Sequence, residues 1–222
     1  MSMLVIRDQR ASVLALQRAI PPALEWVNIR EACEYMDEID ATLDPDSPER
    51  NHPATYLAQV PPPQLRINDP GFALNAFFLG FWFMSEKMRI ALNLADADVV
   101  VRSAKLIGAA PQLSAFGYAA IAPVHHGDGI DPDRSDIEHS GGIGASNYWD
   151  LATFGDVLPR VALRSEFSPP ASLFYMDRTD WLMITPEAAE RVRLAGIEDV
   201  MFDDPVPAYG SWMMSRKYSV IQ

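Results

Sequence analysis

The chain has 222 residues, 49% hydrophobic and 10% aromatic, enough to bury a sizeable core and too apolar for a disordered protein. Its net charge of -12 and pI near 4.6 oppose binding to nucleic acid or an anionic membrane and suit a basic partner. The single cysteine, Cys33, rules out an intramolecular disulfide and a cysteine-held zinc.

The opening MSMLVIRDQR carries charge and leads into no signal-peptide pattern. Val13, Leu14, Leu16 and Ile20 predict a short helix over residues 9–20, stopped by Pro21-Pro22. Apolar spacings near three and four, from Leu24 through Cys33 and Met36 to Leu43, predict a second helix over 23–43. The stretch Glu31–Glu49 holds eight acids and no base. Such a run is either a solvated face or a docking face for a basic partner; Glu31, Glu34, Asp37, Glu38 and Asp40 are its candidate contacts. Prolines at 45, 48, 53 and 61–63 predict a loop over 44–63, and a boundary before the main body.

Gly71–Met84 is the longest apolar run and is shorter than the roughly 20 residues a membrane helix needs. Within it, Phe72–Met84 reads as a buried helix entering a strand, or as strands with a tight turn at Gly80. Ser85 then caps a helix whose apolar stripe is Met88, Ala91, Leu92 and Ala95, and Val99–Val101 follows as a strand. The same order recurs downstream. Trp181–Ile184 is a strand, Thr185 a cap, Pro186 the first helical residue, Gly196 the helix exit and Val200–Phe202 a second strand. Shifted by 100 residues without a gap, Phe81–Arg102 lies over Trp181–Phe202. Between the copies, Lys105–Ile107, Tyr118–Pro123 and Val161–Phe167 read as strands, and Ser172–Ile184 as a hairpin. The expected class is α+β: a mixed or antiparallel sheet with helices packed on it, two similar strand–helix–strand units (about 81–102 and 181–202), and an N-terminal helical extension. The divisions expected are 1–58, an acidic extension; 59–210, the body; and 211–222, a tail, all in one compact unit.

The polar segment His125–Ser140 holds His125, His126, His139 and the acids Asp128, Asp131, Asp133, Asp136 and Glu138. The residue types suit a metal, but no His pair has helix spacing and the acids lack calcium-loop order. A polar surface loop is the simpler reading, with those five acids as further candidate partner contacts. No G-x-S-x-G surrounds Ser135, and Gly141-Gly142-Ile143-Gly144 is not followed by G-K-[ST]. Cys33, amid acids, is a poor setting for a thiolate nucleophile. No catalytic residue, cofactor site or metal site is expected.

From about Gln59 to Asp204 the chain resembles the immunity protein 11 family of bacterial polymorphic-toxin systems. The motifs that carry the resemblance, in order, are FMSEKMRIAL, FGYAAIAPV, DGIDPDRSD and LFYMDRTDWLMITPEAAERVRLAGIEDVMF. The resemblance implies a non-enzymatic, cytoplasmic protein that binds and neutralises a cognate antibacterial toxin (an effector of a secretion system) in interbacterial competition. An acidic surface suits a basic toxin. The competing readings are a metal-assisted hydrolase using the His125–His139 loop, and a structural or adaptor protein of a secretion system.

Overall fold

The computed structural model of the chain describes residues 14–18, 24–44, 47, 49–50, 52–67, 72–76, 81–107, 117–135, 137–139, 149–151, 162–177 and 181–203. In chain order the elements begin with β1 (Leu14–Arg18), β2 (Leu24–Trp26), α1 (Ile29–Thr42), α2 (Pro53–Leu57) and β3 (Gln64–Ile67). Next come β4 (Leu74–Ala76), β5 (Trp82–Ser85), α3 (Glu86–Leu92), β6 (Val99–Ser103), β7 (Lys105–Leu106), β8 (Tyr118–Pro123) and β9 (His126–Gly127). The last are β10 (Ile137–His139), β11 (Trp149–Leu151), β12 (Leu173–Met176), β13 (Leu182–Ile184), α4 (Pro186–Leu194) and β14 (Val200–Asp203). The class is α+β, as composition and patterning led us to expect.

Two sheets dominate, one ordered β4-β5-β8-β6 and the other β14-β1-β13-β12-β9. They are built on one plan. A hairpin, β4-β5 or β12-β13, runs into a helix and then a third strand, β6 or β14. A strand from elsewhere in the chain then wedges between the second and third strands, antiparallel to both: β8 in the first sheet, β1 in the second. The contacts between the units are reciprocal, since α3 packs on α4, β1 on β4 and β8 on β12. The helix starts match as well. Ser85 Oγ accepts the Met88 amide at 3.2 Å, and Thr185 Oγ1 accepts the Ala188 amide at 3.4 Å. Each helix exit is left-handed, at Asn93 (φ 51°) and Gly196 (φ 66°). Each helix also sends a cation to carbonyls at the other's C-terminal end, Arg191 to Leu92 O at 2.8 Å and Lys87 to Gly196 O at 3.2 Å.

Strict alternation along the strands sorts the side chains into cores. Trp82, Met84, Ala119 and Ile121 face Leu173, Tyr175, Leu182 and Ile184 in a central core closed by Met88, Leu92, Ala188, Ala189 and Val192. On the far face of the first sheet, Phe81, Phe83, Tyr118, Ala120 and Ala122 pack under α1, α2 and the small sheet β2-β3-β7. Trp26 fills the middle of that core, edge-on to Phe83 with ring centroids 5.6 Å apart. On the far face of the second sheet, Phe174, Met176 and Met183 pack with Ile130, Leu163 and Phe167.

Several expectations are corrected here. The helix expected over residues 9–20 gives way to a strand over 14–18: β1 finds its hydrogen-bond partners in β13 and β14, and Leu16 is 1% exposed in the central core. The second helix starts only at Ile29. Leu24–Trp26 pairs with β3, and the Asn28 carboxamide oxygen accepts from the Trp26 indole at 2.9 Å and the Gln64 amide at 2.8 Å. The loop expected over 44–63 contains a short helix, because Pro53 stands at a helix start, where a missing amide proton costs nothing. That helix packs on β8 and β6, and β1 lies inside the second sheet. In the apolar run, Leu74–Ala76 pairs with Trp82–Met84 as two antiparallel strands, and Gly80 lies outside the described residues. Ala95 is exposed because α3 has ended at Leu92. Of the strand expected over 161–167, the described residues 162–167 form none; Leu163 alone bridges to Ile130.

Candidate functional site

The outer face of α1 is the strongest surface feature that the sequence pointed to. Ala32, Met36 and Ile39 turn inward, which leaves Glu31, Glu34, Tyr35, Asp37 and Glu38 exposed. Glu31, Glu34, Tyr35 and Glu38 stand at i, i+3, i+4 and i+7 and share one stripe. Tyr35 is 44% exposed within it. Arg30 pairs with Glu34 at 3.2 Å, both largely in solvent, where such a pair contributes little. Asp40 behaves differently. It turns inward and accepts the Tyr56 hydroxyl at 2.6 Å, which ties α1 to α2.

The acids of the second segment are also divided by the fold. Asp128 is 3.2 Å from the Arg164 guanidinium. Asp131 caps a 3-10 turn over Pro132–Arg134 by accepting the Asp133 amide at 3.2 Å, and Asp133 itself is exposed. Asp136 lies outside the described residues, as do the side chains of Glu138 and His139 in β10. The Gly141–Gly144 segment and the tail beyond Asp203 also lie outside them. Ser135 Oγ bonds both the amide and the carbonyl of Ala162, at 2.9 and 3.3 Å, a structural use of that hydroxyl. Among the described residues, no group of three or more His, Cys, Asp or Glu is arranged to hold a metal ion.

The histidines do come together, but with a member that sequence reasoning missed. His126, on the edge strand β9, lies edge-to-face with His52 at 4.5 Å between ring centroids, and 5.4 Å from the Tyr175 ring. His52 sits at the N-terminus of α2. Its Nδ1 accepts the Ala54 amide at 3.2 Å, and its Nε2 meets Val124 O at 3.1 Å. Next door, His125 Nε2 is 2.9 Å from Asp98 Oδ1. Burial of the ring, set partly against hydrogen bonding to the backbone, lowers the His52 pKa from its usual 6.5. Burial, with opposition from His52 and partial relief from Asp177, brings His126 down to about 4. The sequence signal for His52 was its place directly before Pro53, a polar cap followed by a first-turn proline.

A cleft of about 610 Å³ opens beside the start of α3, lined by Phe72, Lys87, Ile90, Ile197 and Asp199 among others. Two of its polar groups are committed to the fold: Asp199 accepts the Ala73 amide at 2.8 Å and Lys87 holds Gly196 O. No helix among the described residues is long and apolar enough to cross a membrane. No protein-family model matches this chain, and no curated protein matches it.

Proposed function

We propose that the protein is an immunity protein of the immunity protein 11 type, which binds a cognate antibacterial toxin in the cytoplasm of the producing cell and holds it inactive. The observation that carries this reading is the exposed outer face of α1, where Tyr35 stands among Glu31, Glu34, Asp37 and Glu38. An inhibitor acts through a rigid complementary surface, not through tuned reactive groups. Aromatic anchors with a charged rim are the usual composition of such surfaces. The net charge of -12 would draw a basic partner and speed the encounter. A toxin that acts on a polyanion, such as a nuclease, presents a face of that sign. Asp133 and the acids near it form a second candidate contact, while Asp40, Asp128 and Asp131 are engaged within the fold.

The test uses the toxin domain encoded by the neighbouring reading frame. Glu34→Lys, Asp37→Lys and Glu38→Lys together should slow association by about tenfold or more at low salt, since rim charges act mainly on the on-rate. Growth protection on co-expression should weaken in parallel. Unchanged association and unchanged protection would remove α1 from the interface. Failure of the unaltered protein to bind or protect would remove the immunity reading itself.

A further inference from the structure

The His52 ring has two fixed neighbours, and together they dictate its protonation. The Ala54 amide can only donate, so Nδ1, 3.2 Å away, must be bare. The Val124 carbonyl can only accept, so Nε2, 3.1 Å away, must carry the proton. The neutral Nε2–H imidazole satisfies both, and neither the other tautomer nor the imidazolium does. A second proton has to land on Nδ1, where it turns an acceptor into a donor that faces the Ala54 N–H. The helix cap is then lost. We propose that His52 is an acid-labile latch, whose protonation undoes the cap on the first turn of α2 and so loosens the α1–α2 layer over the first sheet.

The surroundings favour release. His126 lies edge-to-face with His52, and a charge on His52 opposes one on His126. Asp177, on the turn after β12, is the carboxylate that partly favours a charged His126. Asp98 is taken by His125, and Asp128 by Arg164. Arg50, two residues before His52, is 4.0 Å from Asp40, and Tyr56 gives its hydroxyl to the same carboxylate. Among the groups named, no carboxylate is hydrogen-bonded to His52 itself, whose ring is held by an amide, a carbonyl and an imidazole. The first turn of α2 thus depends on a neutral ring, and through Tyr56 and Asp40 so does the seating of α1. This does not depend on the toxin-binding reading.

The experiment is a pH titration of the full chain by NMR from pH 7.5 to 5, above the range in which ordinary carboxylates, of pKa about 4, take up protons. Imidazole nitrogen shifts should report the Nε2–H tautomer of His52 at pH 7.5. Protection of the Ala54 amide against exchange, corrected for the intrinsic rate, should fall about fivefold or more by pH 5, the size expected for loss of one cap. In His52→Asn, which caps without titrating, Ala54 protection should stay level over the same range. An Nδ1–H tautomer at neutral pH, level Ala54 protection in the unaltered protein, or an equal fall in His52→Asn would overturn the latch. Should His52→Asn fail to fold, the tautomer and the unaltered protein's own titration decide the matter.

Discussion

A methyl group placed on Gly127 tests the packing of the second sheet's outer core. Gly127 is buried in β9, and its backbone does not require glycine. An added Cβ would lie 2.7 Å from Phe174 Cε2 and 2.9 Å from Phe167 Cζ. Carbon atoms in good contact sit about 3.5–4.0 Å apart, so the methyl needs close to an ångström of new room. Phe174 is 0% exposed in a cluster with Met183 and Ile130, while Phe167 is only half-buried and can turn. Overpacking of this kind costs about 1–3 kcal/mol. Restricting the unfolded chain returns about 0.4–1 kcal/mol. The net loss in Gly127→Ala should be about 1–2 kcal/mol, seen as a lower urea midpoint at constant m, or a Tm lower by about 2–8 °C. Trimming the neighbour should restore room, so Gly127→Ala with Phe167→Leu should be more stable than the two single losses added together. Gly196→Ala is the contrasting case: no atom lies within 4 Å of the new Cβ, and any loss comes from the left-handed backbone at φ 66°. Phe167→Leu should not rescue it. A Gly127→Ala protein as stable as the original, or no coupling to Phe167, would refute the packing argument.

Thr185→Ala and Ser85→Ala should each lower stability by about 1 kcal/mol in urea titrations, because each removes the acceptor for a helix-start amide. Their matched roles predict similar losses, and a loss at one cap alone would count against equivalent units. Stability should also depend on pH in a stated direction. His52 and His126 are both less basic folded than unfolded, His126 at about 4. The unfolded chain therefore takes up protons near pH 6.5 that the native state refuses, and stability, level above about pH 7, should fall as the pH drops toward 5. The urea midpoint measured at each pH checks this, and His126→Gln should flatten the slope. A midpoint that rises on acidification over that range would contradict the sign.

Local features were legible wherever the chain's own neighbours decide them. The caps at Ser85 and Thr185, the exit at Gly196 and the hairpin of β12 and β13 all rest on contacts a few residues apart. The repeat at a shift of 100 was visible for the same reason. What stayed hidden was the inserted strand β1, whereas β8 was read as a strand from its own residues. Leu14 and Leu16 suit a strand and Val13, Leu16 and Ile20 a helix, and only β13 and β14, at the other end of the chain, decide between them. The acids read as one run are separated by depth: Tyr56 draws Asp40 inward, while Glu34 and Glu38 turn to water. The histidine site was half legible, because His125 and His126 are adjacent in sequence, but His52 joins them only through the packing of α2 on β8.

The place of β1 also sets an order of events in synthesis. The first sheet has all its strands once Pro123 has been made, since β8 follows β4, β5 and β6 closely. The second has its central strand first and its neighbours last, because Leu14 waits for Ile184 and Ala15 for Asp203. At translation rates of about 5–20 residues per second, β1 stands without partners for roughly 10–40 s. During that interval both its edges are open, and Leu16 has no finished core to enter. The first unit is therefore the part able to fold on the ribosome. Closure of the second sheet is a late, long-range step, and it should set the slow phase of refolding from denaturant.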